Sequence, residues 1–417
     1  MAIEDKNQSR SRLWRDLSLT GLVALWFGLI TLPIVGIKMG DDSVTWRIGP
    51  LVIAGLVLAG GLIWLGISRW KGFTNLITQR LLAPLHHTAD QMAKPTVVKW
   101  ETASILILLA VIPWMLPAKH LNLAVDTGIY IILALGLNIV VGSAGLLVLG
   151  YAGFWAIGAY TYALASIMLN CPFWLGLPLA AAVTGLCGLI VGLPCLRLRG
   201  DYLAIVTLGF GELVRYLLKN LPNLTGGEKG LPNEYLTGSI NHPQIFGWVL
   251  KQPIHYYYIT FIMVVLTIII IERLNNSRIG RAWIALREDE LAANSMGINT
   301  TKLKILAFVI SAVWAGFAGV LYAAKMNYIT PEAFRFDQSA LILAMVILGG
   351  MGNTFGVILG AIILYILPWF IRDQMPAFQD YRLLIYGATM VLMMLFRPQG
   401  LISSKRRQVE LSVTSEG

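Results

Sequence analysis

Runs of about 20 predominantly apolar residues recur along the whole chain, and each is long enough to cross a bilayer as a helix. Inside a membrane the backbone finds no water, so such a run must satisfy its hydrogen bonds internally, as a helix does. Hydrophobic residues make up 57% of the 417 residues and charged residues 13%, against about 45–50% and about 25% in soluble domains. The sequence therefore predicts an all-α polytopic membrane protein.

Twelve apolar segments qualify as crossings, and the total falls to ten if two weak segments do not span the bilayer. They lie near residues 17–37, 48–67, 102–117, 121–141, 146–168, 175–195, 203–219, 256–272, 304–325, 339–350, 354–371 and 381–396. Charged residues weaken the segment at 203–219, and glycines separate 339–350 from 354–371. We expect about 10–12 transmembrane helices.

The distribution of Lys and Arg predicts the orientation, because cytoplasmic loops of membrane proteins carry the excess of basic residues. Basic residues concentrate in the loop 68–100, the segment 273–304 and the tail at 405–407. We place all three in the cytoplasm, which also puts both termini there. The net charge of +10 is explained by these loops and gives no indication of nucleic-acid binding.

The chain is predicted to have three parts. Residues 1–100 combine a polar cytoplasmic tail, two crossings and a basic loop, and have no counterpart later in the chain. Residues 101–401 form a more glycine-rich membrane body. Residues 402–417 form a cytoplasmic C-terminal tail.

One charged segment, 278–304, interrupts the apolar second half of the chain. Its apolar residues recur at helical spacing without a proline, and Gly297 stands where glycine commonly caps a helix in the left-handed conformation. On one continuous helix, Glu290, Ala293 and Gly297 share a face that carries an acid and two small residues. Such a face suits close approach of a partner, although a solvated loop helix of mixed charge explains the pattern as well.

Several polar or small residues in or beside the spans are candidates for lining a path across the membrane. They are Asn138, Gly142, Gly145, Tyr151, Gly349, Gly350 and Gly352. Helix packing explains each of them as readily, because small residues let neighbouring helices approach closely. The glycines at 349–352 also disfavour a helix and predict a turn. Glu212 and Arg215 lie three residues apart and are predicted to pair on one helix face.

Motifs for catalysis or nucleotide binding are missing. The sequence has no phosphate-binding loop of the form G-x-x-x-x-G-K-[S/T], and no set of residues at metal-ligand spacing. We therefore predict that this chain is not an enzyme and binds no metal, nucleotide or other cofactor. If transport is active, its energy source is another chain.

The charged segment resembles a known element. Residues 290–297 read E-x-A-A-x-x-x-G, which is similar to the cytoplasmic EAA loop with which ABC importer permeases dock onto their ATPases. The longer run RAWIALREDELAANSMGIN resembles the LivM-type permease subunits of branched-chain amino acid importers. The same family resemblance extends over about 120–401 and rests on five further stretches in order: residues 137–160, 200–212, 224–227, 347–361 and 397–401.

The resemblance implies an ABC importer permease fold with a cytoplasmic coupling helix, in a bacterial inner membrane. It implies four kinds of partner: a LivH-type sister permease, two ATPase subunits of the LivG and LivF types that carry ATP and Mg²⁺, a periplasmic amino-acid-binding protein, and membrane lipid. The cargo would be leucine, isoleucine or valine. The residues expected to couple to the ATPases are Arg287, Glu288, Asp289, Glu290, Ala292, Ala293 and Gly297.

Three alternatives stay open at this stage. Related permeases carry urea, short amides or other small solutes, since the binding protein largely sets specificity. An ion-coupled secondary transporter or a channel acting alone belongs to a different class, and has no need of a cytoplasmic docking helix. A purely structural subunit, with the sister permease forming the whole path, is the third.

Overall fold

The computed structural model describes residues 37–40, 43–46, 112–114, 117–195, 200–232, 236, 238–245, 248–374 and 387. The chain divides into two compact units, residues 1–107 and 108–417. The described part of the first unit is an antiparallel hairpin of β1 (Ile37–Gly40) and β2 (Ser43–Trp46). The predicted crossings at 17–37, 48–67, 102–117 and 381–396 lie almost wholly outside the described residues. The three-part division of the chain stays a prediction.

Helices dominate the described part of the second unit. They are α1 (Ala118–Asn138), α2 (Tyr151–Leu169), α3 (Phe173–Cys195), α4 (Asp201–Lys219), α5 (Pro222–Thr225), α6 (Pro253–Asn275), α7 (Arg278–Glu288), α8 (Glu290–Ser295), α9 (Thr300–Met326), α10 (Phe336–Gly349) and α11 (Thr354–Gln374). A π-helical turn, Ile139–Ser143, continues α1. Three short 3-10 helices lie at Ile112–Trp114, Gly227–Lys229 and Pro331–Phe334, and a small hairpin joins β3 (Gln244–Ile245) to β4 (Trp248–Val249).

Five of the described helices are long and apolar enough to cross a membrane. They are α1 with its π-helical turn, α2, α3, α6 and α9. Each overlaps a predicted crossing, and the all-α polytopic fold class is confirmed. The helix α4 also forms where a crossing was predicted, but it is not among the five. The total of 10–12 crossings stays a prediction.

Helix α9 lies at the centre of the bundle and packs against α1, α2 and α3. Small residues allow this, since a side chain at Gly158 would overlap the backbone of Gly316, and one at Gly319 would overlap the backbone at Gly158 and Ala159. Gly319 therefore gives α9 a face on which α2 approaches closely. Backbone contact of this kind is how membrane helices associate without a hydrophobic driving force between them.

The crossing predicted at 146–168 begins later than expected. Residues 144–150 are not helical, and α2 starts only at Tyr151. Gly145 has a left-handed φ of +72°, which turns the chain out of the π-helical turn. The Leu149 amide then donates to Thr207 Oγ1 of α4 at 3.1 Å, so a side chain replaces a lost helical hydrogen bond.

Candidate functional site

The charged segment forms two helices, where the sequence predicted one. We call residues 278–297 the coupling segment. Helix α7 begins at the N-cap Ser277 and ends at Glu288, and Asp289 is extended with φ −155°. The Asp289 carboxylate accepts hydrogen bonds from the amides of Leu291 and Ala292 at 2.8 and 2.9 Å, which makes it the N-cap of α8. The helix breaks there because a carboxylate satisfies the free amides of a new helix.

The predicted shared face holds for Glu290 and Ala293 but is wrong for Gly297. Ala293 is buried, and the Glu290 carboxylate lies 2.6 Å from Lys304 Nζ of α9, so both face the bundle. Gly297 lies beyond the end of α8, is exposed, and has no atom near the position of a β-carbon. Its φ of +82° confirms the predicted left-handed cap. The exposed Gly297 is therefore separate from the face that holds the segment in place.

Two contacts fix the coupling segment to the start of α9. Trp283 is fully buried and its indole N–H donates to the Leu303 carbonyl at 2.9 Å. The ion pair of Glu290 with Lys304 forms one residue further along α9, and the Lys304 side chain is only 7% exposed. Both helices of the segment are thus tied to the same turn of α9. A force applied to the segment reaches the central helix of the bundle directly.

A third contact ties the coupling segment to α1. The Arg287 guanidinium donates through Nη1 to the Gly142 carbonyl at 2.9 Å, while Nη2 lies 2.8 Å from the Glu288 carboxylate. Its methylene stem covers Gly145, where a β-carbon would overlap it. Gly142 belongs to the π-helical turn, and a widened turn of this kind is often found at functional positions. Arg287 therefore fills the space that Gly145 leaves open and bonds the backbone of Gly142.

The glycine turn between α10 and α11 packs against the same part of α1 and its π-helical turn. The Gly352 amide donates to Asn138 Oδ1 at 2.9 Å, and Gly352 has a φ of +83°. A side chain at Gly142 would overlap both the Asn138 side chain and the Gly352 amide. We call Asn138, Gly142, Gly145, Arg287 and Gly352 the glycine node. It joins four of the predicted path residues to one predicted coupling residue.

The remaining predicted path residues lie apart from these contacts. Tyr151 is buried at the start of α2, and its hydroxyl donates to the Ser311 carbonyl at 2.9 Å. Gly349 ends α10 and packs against the backbone of α11, and Gly350 begins the turn with φ +111°. The predicted turn at 349–352 is confirmed.

Two exposed apolar residues of the coupling segment were missed from the sequence. Leu291 is 66% exposed and Met296 is 82% exposed, and they stand at the two ends of α8. Ala292, the predicted coupling residue next to Leu291, is also exposed, and so are Glu288 and Asp289. The available signal was a pair of apolar residues, Leu291 and Met296, that bracket the uncharged run Ala-Ala-Asn-Ser inside a charged segment. We call these two exposed side chains the apolar knob; the exposed acids Glu288 and Asp289 precede them in the chain.

A cavity of about 310 Å³ opens beside the coupling segment. One wall is residues 144–147, after the π-helical turn, and the other is residues 286–290, with Lys304 at its edge. Non-helical backbone at membrane depth is tolerated where it is buried in protein or lines a water-filled space. Among the described residues, no three His, Cys, Asp or Glu side chains are grouped to hold a metal ion.

The predicted pair of Glu212 and Arg215 on α4 is confirmed. Arg215 Nη2 lies 2.8 Å from the Glu212 carboxylate, and Nη1 reaches Glu332 at 3.0 Å. Glu332 lies in the 3-10 helix at 331–334, more than a hundred residues away in sequence, so spacing alone gave no sign of it. The pair is therefore part of a larger charged cluster.

Comparison with known proteins identifies the family. Residues 120–394 match the family described as branched-chain amino acid transport system, permease component. The chain is 46% identical to the high-affinity branched-chain amino acid transport permease protein LivM of Salmonella typhimurium, over 74% of this chain and 76% of that protein. It is 45% identical to LivM of Escherichia coli over the same shares.

A more distant relative is the permease protein LivH of the same system in Escherichia coli. It is 32% identical over 46% of this chain and 56% of LivH. No solved structure matches the chain. The helical bundle, the coupling segment and the match over residues 120–394 agree, and the chain belongs to the permease-component family of branched-chain amino acid transport systems.

Proposed function

We propose that the chain is the LivM-type permease subunit of an ATP-driven importer for leucine, isoleucine and valine. It works in a bacterial inner membrane with both termini in the cytoplasm. The observation that carries the proposal is the apolar knob of Leu291 and Met296, which projects from a segment anchored at three points to the bundle. The names of the LivM relatives support the choice of substrate.

The proposed assembly has two permeases and two ATPases. The 32% identity with LivH supports a sister permease of related fold, so that two similar bundles face each other across the path. ATPases of the LivG and LivF types bind ATP and Mg²⁺, and one of them receives the knob in a surface groove. A periplasmic binding protein delivers the amino acid on the opposite side.

The anchoring contacts suggest how ATP binding moves the permease. Closure of the ATPase pair displaces the knob, and the displacement passes to α9 through Trp283 and Glu290. It passes to α1 and to the turn before α11 through Arg287. Packed helices respond to such a push as rigid bodies with two arrangements, because close-packed interfaces do not deform continuously.

An importer explains the coupling segment better than the alternatives do. A secondary transporter or a channel acting alone has no use for an anchored cytoplasmic knob. A permease for urea or a short amide keeps the same architecture, so only a transport assay separates it. Uptake of labelled leucine, isoleucine and valine, with urea as competitor, in cells that lack their own importer makes that distinction.

Co-purification tests the docking part of the proposal. The chain is tagged, expressed with its neighbours and purified in mild detergent, as wild type and as Leu291→Glu and Met296→Glu. We expect wild type to bring down a second permease and two ATPases, and each Glu variant to lose an ATPase while keeping the permease. The variant Met296→Leu keeps the knob apolar and serves as the matched control. Full ATPase recovery with both Glu variants, together with normal uptake, would contradict docking at the knob.

A further inference from the structure

Two segments that interrupt the α-helices meet about halfway along the helical bundle. The first is the non-helical stretch 144–150, and the second is 327–335, between α9 and α10, which contains the 3-10 helix Pro331–Phe334. Their depth follows from two hydrogen bonds: Tyr151 to the Ser311 carbonyl at 2.9 Å, and the Ala152 amide to Ser339 Oγ at 2.9 Å. Ser311 is the twelfth of the 27 residues in α9. Helices α2 and α10 therefore begin near the middle of the bundle.

The two segments line a narrow crevice, too small to hold a water molecule in this structure, whose third wall is the middle of α4. Gly150 comes from the first segment, Phe334 from the second, and Leu208 and Glu212 from α4. Gly150 also lies so close to α4 that a β-carbon on it would overlap the Thr207 carbonyl. This contact places Glu212 at the same depth as the two segments. The Glu212 carboxylate and the two segments that interrupt the α-helices thus lie together near the middle of the bundle.

Glu212 is the deepest member of a series of charges. Arg215 bonds Glu212 at 2.8 Å and Glu332 at 3.0 Å, Lys219 lies 3.9 Å from Glu332, and Lys219 also pairs with Glu228 at 2.6 Å. We call Glu212, Arg215, Lys219, Glu228 and Glu332 the charge ladder. It ascends from the crevice to the loop after α4, alternating in sign. None of its members is fully buried, since the side chains of Arg215 and Glu212 are 13% and 27% exposed.

The neighbouring face of α4 has the opposite character. Tyr202, Leu213 and Leu217 are 55–72% exposed and line one stripe of the helix, while the exposed Ile205 lies two turns before Glu212 on the same face. That stripe suits a hydrocarbon environment, whereas charges at membrane depth almost always face the bundle interior or a water-filled cavity and pair with one another. Backbone outside α-helices at that depth is likewise buried in protein or lines a water-filled space. The border between the two environments therefore runs along α4, between Glu212 and Leu213.

We propose that the charge ladder and the crevice form one wall of the aqueous route through the importer, and that a zwitterionic substrate passes along this wall. The substrate ammonium replaces Arg215 beside Glu212 or Glu332, and the substrate carboxylate pairs with Arg215. Alternating charges let a zwitterion exchange partners stepwise without leaving either of its charges unpaired. The cargo in this inference rests on the proposed function, whereas the course of the route does not.

Cysteine accessibility tests the route in the complete complex. The natural cysteines Cys171, Cys187 and Cys195 are replaced by alanine, and the assembled complex in proteoliposomes carries Leu208→Cys, Glu212→Cys or the control Leu213→Cys. A membrane-impermeant sulfonate thiol reagent is applied without nucleotide and after trapping with ATP and vanadate. Leu208→Cys leaves every charge of the ladder in place, so it covers the case in which Glu212→Cys does not assemble.

We expect Leu208→Cys and Glu212→Cys to react at least tenfold faster than Leu213→Cys in one of the two states. Equal reactivity of Leu213→Cys, or no reaction of Leu208→Cys and Glu212→Cys in either state, overturns the route. Leucine-loaded binding protein should slow the reaction in the presence of ATP, and a reaction that leucine does not slow overturns the substrate contact. Failure of the branched-chain uptake assay with the labelling pattern intact would instead refute the proposed cargo and leave the route standing.

Discussion

The ion pair between Glu290 and Lys304 allows the internal and external roles of the coupling segment to be separated. Glu290 occupies the acidic position of the EAA-like motif, which suggests a basic partner on the ATPase. In the structure its carboxylate instead lies 2.6 Å from Lys304 of the same chain. We predict that Glu290→Lys abolishes transport because it places two ammonium groups together, and that Glu290→Lys with Lys304→Glu restores it.

The size of the effect follows from burial. Removing one partner of a fully buried ion pair costs about 3–5 kcal/mol, because the other charge is left without compensation. The Lys304 side chain is 7% exposed but that of Glu290 is 32% exposed. Solvent screening of Glu290 reduces the cost to about 2 kcal/mol. Since about 1.4 kcal/mol corresponds to a factor of ten, Glu290→Gln should lower the population of the anchored segment about 30-fold relative to the detached one.

Leucine uptake into proteoliposomes and ATPase co-purification measure this prediction. Glu290→Gln should show reduced uptake, Glu290→Lys none, and the charge-swapped double variant should recover at least half of the wild-type rate. Membrane insertion of all four proteins is compared by their yield in the membrane fraction. If the double variant is as defective as Glu290→Lys alone, Glu290 acts on the ATPase, and the reasoning from the internal pair is refuted.

Three further substitutions test the other contacts. Gly142→Ala should abolish uptake and lower the thermal stability of the purified complex, because the added methyl overlaps Asn138. The control Gly192→Ala, whose methyl would lie 3.5 Å from its nearest neighbour, should leave uptake and thermal stability unchanged. Gly297→Val should block transport, because a β-branched residue in a left-handed position costs about 1–2 kcal/mol. Gly297→Asn should keep transport, and equal loss of transport in the two variants would show that a partner needs the glycine itself. Arg287→Ala should retain ATPase binding but transport fewer leucines per ATP hydrolysed, with partial recovery in Arg287→Lys, and an unchanged ratio would exclude coupling through Gly142.

Helix positions followed closely from the sequence where apolar length was the deciding quantity. The crossing predicted at 256–272 forms as Pro253–Asn275, and that at 304–325 forms as Thr300–Met326. A run of apolar residues in lipid has only one way to satisfy its backbone, so its pattern suffices. The same rule placed the start of α2 five residues too early, because it gives no weight to Thr207, whose hydroxyl supports the non-helical stretch from a different helix.

The coupling segment shows where local pattern and local chemistry disagree. Helical spacing runs through Asp289 without interruption, and the prediction followed it. The capping chemistry of Asp289 decides otherwise, since its carboxylate takes two backbone amides of the following turn. The helical spacing and the capping residue are both present in the sequence. Which of them decides the structure depends on Trp283 and Glu290, which hold the two helices against the same turn of α9. That support comes from the tertiary fold and has no trace in the segment itself.

The contacts of the glycine node change the roles that the sequence assigned to its residues. From the sequence, Gly142 and Gly145 belong to a path and Arg287 to a docking surface, and helix packing explains the glycines equally well. In the structure the Arg287 stem covers Gly145 and its guanidinium bonds the Gly142 carbonyl, whereas the space at Gly142 itself is filled by Asn138 and the Gly352 amide. A glycine is therefore needed at position 145 to admit Arg287, and packing and the proposed coupling meet at that residue. Substitutions at Gly145 should therefore resemble substitutions at Arg287 in their ratio of transport to ATP hydrolysis, which simple packing defects do not change.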